Sequence, residues 1–339
     1  MELIMSNLNV IWFILICVLF AGFFLLEGFD YGVGMWLPII GKTDVQRRQM
    51  INSIGPVWDG NEVWMITAGG AMFASFPHVY ATLFSGFYLA LFLMLAALIF
   101  RGVAFEFRSK SPNRTWRKSF DYAIFFGSLI PALLWGVTVG NLIQGTPIDG
   151  TMTYVGSFFD LLSPYTILCG IAFILVFLYH GGLYTCIKTA GEISERARAS
   201  SLVVGVITAV GALVLGGATY ACTDMFDNIL AIIAYVLAIV CFLVSWFATR
   251  TRNPKFGFLF SSLTIIMVTA AYFAGLFPRI MVSSLNPDWS LTITNASSST
   301  YTLALMTVVA CVFVPIVLAY QIWGYYTFRK RITEDDLHY

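Results

Sequence analysis

Long apolar runs alternating with short polar breaks organise the whole chain. Nine runs stand out, over residues 10–39, 54–76, 79–107, 119–142, 162–187, 200–221, 228–249, 256–277 and 302–328. A helix needs about 20 apolar residues to cross a hydrocarbon core. The longer runs exceed that length, so those helices tilt or protrude. None shows the period-two alternation of a membrane barrel strand. The pattern predicts an all-α polytopic membrane protein with nine transmembrane helices.

Composition agrees with the pattern. Of 339 residues, 59% are hydrophobic and 11% are charged, where a soluble domain carries about 25% charged residues. So few charges cannot cover a water-exposed surface, which excludes a soluble enzyme, a nucleic-acid binder and a disordered scaffold. The net charge of +1 says little about partners; the placement of the charges says more. Lys42, Arg47, Arg48, Arg101, Arg108, Lys110, Arg114, Arg117, Lys118, Lys188, Arg196, Arg198, Arg250, Arg252, Lys255, Arg329, Lys330 and Arg331 all fall at or beside the breaks after odd-numbered runs. Only Arg279 falls in the opposite breaks, so 18 of 19 basic residues share one side. The positive-inside rule then puts the N-terminus outside and the C-terminus in the cytoplasm. Met1–Asn9 contains no Lys or Arg, and no small-residue cleavage site follows the first run, so that run reads as a retained helix.

A weak repeat at an offset of 153 aligns Glu27-Gly28-Phe29-Asp30-Tyr31 with His180-Gly181-Gly182-Leu183-Tyr184. It suggests two four-helix bundles, residues 1–145 and 146–290, followed by a ninth helix and cytoplasmic tail over 291–339. Cys17, Cys169, Cys186, Cys222, Cys241 and Cys311 lie in or beside apolar runs and form no C-x-x-C pair. They read as small buried hydrophobes. The Ser-, Asn- and Thr-rich stretch from Met281 to Thr300 reads as a cap over the bundle. Trp36, Trp58, Trp116, Trp289 and Trp323 fall near run ends, as an interfacial aromatic belt requires. Pro131 and Pro315 lie inside helices and are expected to kink them.

Carboxylates inside membrane helices are costly and usually functional. Glu27 and Asp30 are three apart and so share a helix face, with Gly22, Gly28, Gly32 and Gly34 allowing close helix approach. Asp59 and Glu62 share another face in Trp58-Asp59-Gly60-Asn61-Glu62-Val63-Trp64, and Glu106 follows Arg101 by five residues. These five acids all fall in the inner half of the first four helices, as a proton-uptake path from the cytoplasm requires. The bland reading is that Arg101 and the loop bases merely neutralise them. Three histidines occur, His78, His180 and His338. Only His180 sits at membrane depth, and packing is its expected role. Haem redox chemistry housed in this chain is therefore not expected. Asn295-Ala296-Ser297 matches a glycosylation sequon, a short match of little weight.

Several of these segments resemble the second subunit of cytochrome bd-type quinol oxidases. The resemblance rests on Gly28 to Gly34, on Asn52 through Trp64, on Thr67-Ala68-Gly69-Gly70-Ala71 and on Phe84-Ser85-Gly86-Phe87-Tyr88. Phe105 to Lys110, Gly140-Asn141-Leu142, Gly275-Leu276-Phe277-Pro278, Asn295 to Ser299 and Val312 to Leu318 extend it over nearly the whole chain. Residues 190–255 are the least distinctive. The resemblance implies a terminal respiratory oxidase that oxidises a quinol and reduces dioxygen to water. It further implies that haem b, haem d and the quinol site belong to a partner, subunit I, and that this chain holds no cofactor. A small accessory subunit, membrane lipid and quinone are the other implied partners, in a prokaryotic plasma membrane.

Carried over by position, Asp59 matches an acid in a proton path and Glu106 a second acid near its entrance, where many relatives have Asp. Glu27 and Asp30 match a helix-1 acidic pair, in which Glu27 replaces Asp of some members. Glu62 stands where some relatives have Gln. Trp64 matches a residue near an oxygen access route. The alternatives from other classes are an ion-coupled secondary transporter built on the same acids, and an assembly partner whose acids are structural.

Overall fold

The computed structural model describes residues 7–333 and residue 337; His338 lies outside them. Eleven α-helices run through the described residues: α1 (Leu8–Ile40), α2 (Asp44–Ile54), α3 (Trp58–Ser75), α4 (Pro77–Gly86), α5 (Tyr88–Phe107), α6 (Arg114–Gln144), α7 (Pro164–Lys188), α8 (Glu192–Cys222), α9 (Ile229–Arg250), α10 (Pro254–Leu276) and α11 (Thr300–Thr327). Eight of them, all but α2, α3 and α4, are long and apolar enough to cross a membrane. The predicted helix 54–76 begins at Trp58, and its polar opening turn through Glu62 leaves it short of that hydropathy. Residues 44–54 form the separate helix α2, closed by a capping box in which Thr43 and Gln46 bond reciprocally. The predicted helix 79–107 breaks at Phe87 into α4 and α5. There Gly86 lies against the Tyr154 ring, where an added Cβ would sit 2.6 Å from Cγ.

Helix α1 is the axis of the bundle, packed against α3, α6, α7 and α10. Its crossing with α7 is a close backbone approach. A Cβ at Gly32 would lie 2.0 Å from the Phe177 carbonyl oxygen, and one at Gly181 would lie 2.5 Å from Gly32. Small residues at such crossings let backbones approach where water supplies no hydrophobic drive. Next to this crossing the Trp36 indole donates to the Leu178 carbonyl at 2.7 Å.

The two ends of the bundle differ in chemistry. At one end the C-termini of α1, α5, α7 and α11 meet the basic breaks. Arg108 and Arg47 both donate to Asp121, at 2.6 and 2.7 Å, and Arg108 and Arg117 donate to Asp44. At the other end the two longest connections form a cap, as predicted for the second. Strands β1 (Arg279–Met281) and β2 (Leu291–Thr292) pair antiparallel. The Thr146 N–H and the Ser284 N–H tie residues 145–163 to this ribbon. Asn9 and Ser75 anchor the ends of α1 and α3 to the same cap. Within it, Thr151 and Thr153 donate to Asp149, and Ser157 to Asp160, which holds both carboxyls below the ordinary carboxylate range.

Helix α3 starts at the basic end, where Trp58 packs on Phe105, and finishes at the cap, where Ser75 accepts from Ser298. Its 18 residues reach about 27 Å at ~1.5 Å per residue.

Candidate functional site

Glu27 and Asp30 are fully buried on the face of α1 that meets α3 and α5. The guanidinium of Arg101, on α5 and also fully buried, donates through Nη1 to Glu27 Oε1 and, at 3.1 Å, to Glu62 Oε1. It also lies 4.9 Å from the Tyr31 ring centroid and 5.4 Å from that of Phe105. Asp30 Oδ2 accepts from the Asn61 amide at 2.6 Å, and Asn61 Oδ1 accepts from the Tyr325 hydroxyl at 2.7 Å. Residues from α1, α3, α5 and α11 thus converge on one buried point.

Several polar atoms there have no protein partner: Glu27 Oε2, Asp30 Oδ1, Tyr31 Oη, and Nε and Nη2 of Arg101. Buried polar atoms left bare cost about 1–3 kcal/mol each, and most native ones are satisfied by protein or water.

Glu27 and Asp30 lie together on α1, and Arg101 brings Glu62 of α3 to them. Asp59 and Glu106 do not join them. Both are exposed at the basic end, and neither forms a hydrogen bond or ion pair with a described residue. Asp59 lies near enough to Glu62 for their charges to interact. The Glu62 side chain is 20% exposed, so exposure falls stepwise from Asp59 through Glu62 to Glu27.

Asp121 is a sixth acid that the inner-half count omitted, and it is buried between Arg108 and Arg47. Its place one turn into an apolar run, just after Lys118, was the available signal. Asn61 and Tyr325 carry no charge, and no sequence signal links residues 264 apart.

Trp64 donates to Gln321 at 2.9 Å, and its ring fills the space beside Gly22. It does not line a neighbouring apolar cavity, which Met65 and Ile66 do. That cavity, about 650 Å³ and almost wholly apolar, lies among α3, α4, α5, α6 and α10, with Phe73, Phe92, Trp135 and Phe273 in its wall.

Residues 8–328 match the family described as cytochrome bd terminal oxidase subunit II. The chain belongs to this family. It is 40% identical over 334 residues to "Cytochrome bd ubiquinol oxidase subunit 2" of Bacillus subtilis, covering 98% of this chain and 99% of the relative. "Cytochrome bd-I ubiquinol oxidase subunit 2" of Escherichia coli is 40% identical, covering 97% of this chain and 96% of that one. In fold it is similar to a chain of the bd oxidase from Geobacillus thermodenitrificans. That similarity has a TM-score of 0.77 at 16% identity and covers 95% and 98% of the two chains. Membership of the subunit II family displaces the transporter alternative.

Family membership implies haem in the complex, so the fit of this chain to haem can be tested. An axial ligand needs a free ring nitrogen. His180 is fully buried, with Nδ1 2.8 Å from Ser261 Oγ and Nε2 3.1 Å from the Leu25 carbonyl oxygen. Its ring stacks on Phe258 at 4.5 Å. Both nitrogens are engaged in packing, so His180 does not fit an axial ligand.

Proposed function

We propose that this chain is the non-haem subunit of a bd-type quinol:oxygen oxidoreductase, a terminal respiratory oxidase in which quinol oxidation reduces dioxygen to water. It pairs with subunit I, which carries haem b and haem d in this reading, and supplies scaffold and a cytoplasmic proton path. Glu106 and Asp59 form the mouth, Glu62 the half-sheltered step, and Glu27 and Asp30 the buried end.

One observation carries the path: the stepwise loss of exposure from Asp59 to Glu27, ending in a cluster with unpartnered polar atoms. Three carboxylates share a single guanidinium there. Charge balance in a medium of low dielectric then requires protons among the carboxylates, so the cluster holds exchangeable protons and not a fixed ion pair.

The architecture proposed with this function has nine membrane helices, α3 being the ninth. Its polar first turn would face the proton path and not lipid. The end-to-end run of α3 from Trp58 to the cap supports that count. Two halves over 1–145 and 146–290, with 291–339 added, agree with the α1–α7 crossing, where the first helices of both halves meet. The basic end is placed in the cytoplasm and the cap outside. Oxygen, an apolar solute, is proposed to enter through the cavity beside Trp64. Accessory subunit, lipid and quinone are partners of the complex in the same reading.

The test is turnover of the purified two-subunit complex carrying Asp59→Asn or Glu27→Gln. Each is expected to slow quinol-driven oxygen consumption at least ~100-fold, the lower end of what losing one proton-transfer group costs. Full turnover in both variants contradicts the path.

A further inference from the structure

Helix α11 is held to this chain in an unusual way. Among its described residues only Leu303 is buried, so apolar packing within the chain does little to fix it. Polar contacts fix it instead. The Trp12 indole donates to the Leu303 carbonyl and to Thr307 Oγ1, at 3.2 and 3.1 Å. Trp64 donates to Gln321 and Tyr325 donates to Asn61, at 2.9 and 2.7 Å. Past the helix end, Lys188 Nζ donates to the carbonyls of Phe328 and Lys330, and the Ile332 N–H returns a bond to the Lys188 carbonyl at 2.8 Å. A lysine on the last carbonyls of a helix also complements its dipole.

The innermost of these contacts reaches the carboxylates. While Asp30 is ionised, or carries its proton on Oδ1, its Oδ2 accepts, and Asn61 presents its amide N–H₂ there, which turns Asn61 Oδ1 toward Tyr325. The Tyr325 hydroxyl, as donor, locks that amide orientation. Asp30 Oδ1 is left without a partner. An amide cannot pass a proton without becoming the imidic acid, so Asn61 is no conduit.

We infer that Asn61 and Tyr325 are positioning residues: together they reserve Oδ2 of Asp30 for a fixed hydrogen bond and leave Oδ1 as the oxygen that takes up and releases the proton. The inference rests on the proton-path reading above and adds α11, through its C-terminal anchor, to the machinery of that path. Asp30 is faced by Glu27 on its own helix, Glu62 on α3, Arg101 on α5, Tyr184 on α7 and Tyr325 on α11. Of these, Tyr325 acts on it through a neutral hydrogen bond that can be removed without altering charge.

The experiment uses the whole complex, with oxygen consumption measured against pH and the haem spectrum used to count assembled enzyme. Tyr325→Phe deletes one hydroxyl and keeps the ring, so it is the variant least prone to disturb assembly; Asn61→Leu deletes the amide. Asn61→Leu should displace the half-maximal pH of turnover by about one to two units, the equivalent of one hydrogen bond to a charged carboxylate, and Tyr325→Phe by about half a unit to one unit, the equivalent of a neutral one. The double variant should move it no further than Asn61→Leu alone, because both act through one contact. A Tyr325→Phe profile that superimposes on wild type overturns the inference. Asp30→Asn separates the two levels. If it slows proton uptake while Tyr325→Phe changes nothing, only the positioning role fails. If it too leaves uptake untouched, the path itself fails.

Discussion

Arg101 is the one cation hydrogen-bonded to the carboxylate cluster among the described residues, so its removal tests the cluster's energetics most sharply. Arg101→Met keeps a long unbranched side chain and deletes the charge. Glu27 then loses its only hydrogen-bond donor while remaining fully buried. Breaking a buried pair from one side costs about 3–5 kcal/mol. Loss of the guanidinium over Tyr31 adds about 0.5–2 kcal/mol. Glu62 contributes little, because its partial exposure lets water replace the arginine. If the cost arises from the stranded carboxylate, deleting that carboxylate as well should recover most of it. Arg101→Met with Glu27→Leu replaces the pair by apolar side chains of similar length, a change often near neutral. A double-mutant cycle should therefore return a coupling of about 3 kcal/mol. Thermal unfolding of the purified complex in one fixed detergent reads this directly. The single variant should lose several degrees and the double variant should regain most of them. An Arg101→Met complex as stable as wild type, or a double variant less stable than either single one, would refute the reasoning.

Two further predictions concern the scaffold. Asp121→Asn keeps the shape of the side chain and one accepting oxygen but leaves Arg108, itself buried, with Asp44 as its one charged partner among the described residues. It should cost a few kcal/mol of stability, read as a lower unfolding midpoint, while turnover per assembled haem stays near wild type, checked by paired melting and oxygen-electrode measurements. Gly32→Ala places a Cβ against the Phe177 carbonyl and the Gly181 backbone, neither of which can rotate away. An overpacking cost of about 1–3 kcal/mol or more follows, and size-exclusion chromatography should show a marked fall in assembled complex.

Membrane helices were legible because hydropathy acts locally: eight of the nine runs coincide with helices long and apolar enough to cross a membrane. What escaped was set by other terms. Helix α2 is amphipathic and rich in charge, so it looked like a loop; its capping box, Thr43 to Gln46, was the missed signal. The break at Phe87 comes from the Tyr154 ring of a distant loop, which no window on α4 and α5 contains. The pairs Glu27–Asp30 and Asp59–Glu62 were read from helical spacing, since residues three apart share a face; that Glu62 joins the first pair through Arg101 was not. Nor was the exposure of Asp59 and Glu106, because spacing cannot separate exposed acids from buried ones. Arg101 appeared in the sequence only as a neutralising base, yet it is the centre of the cluster. Asn61 and Tyr325 were invisible for a plainer reason: neutral residues far apart in sequence carry no pattern.

Proton movement is the central claim, and it can be measured without relying on overall turnover. The complex in liposomes, oriented with its basic end outward and given a pH indicator on that side, can be followed through a single round of oxygen reduction. With Glu27→Gln, which keeps the side-chain shape and its hydrogen-bond acceptor, uptake from the basic side should lag well behind haem oxidation. Uptake at the wild-type rate and extent in that variant would contradict a path through Glu27.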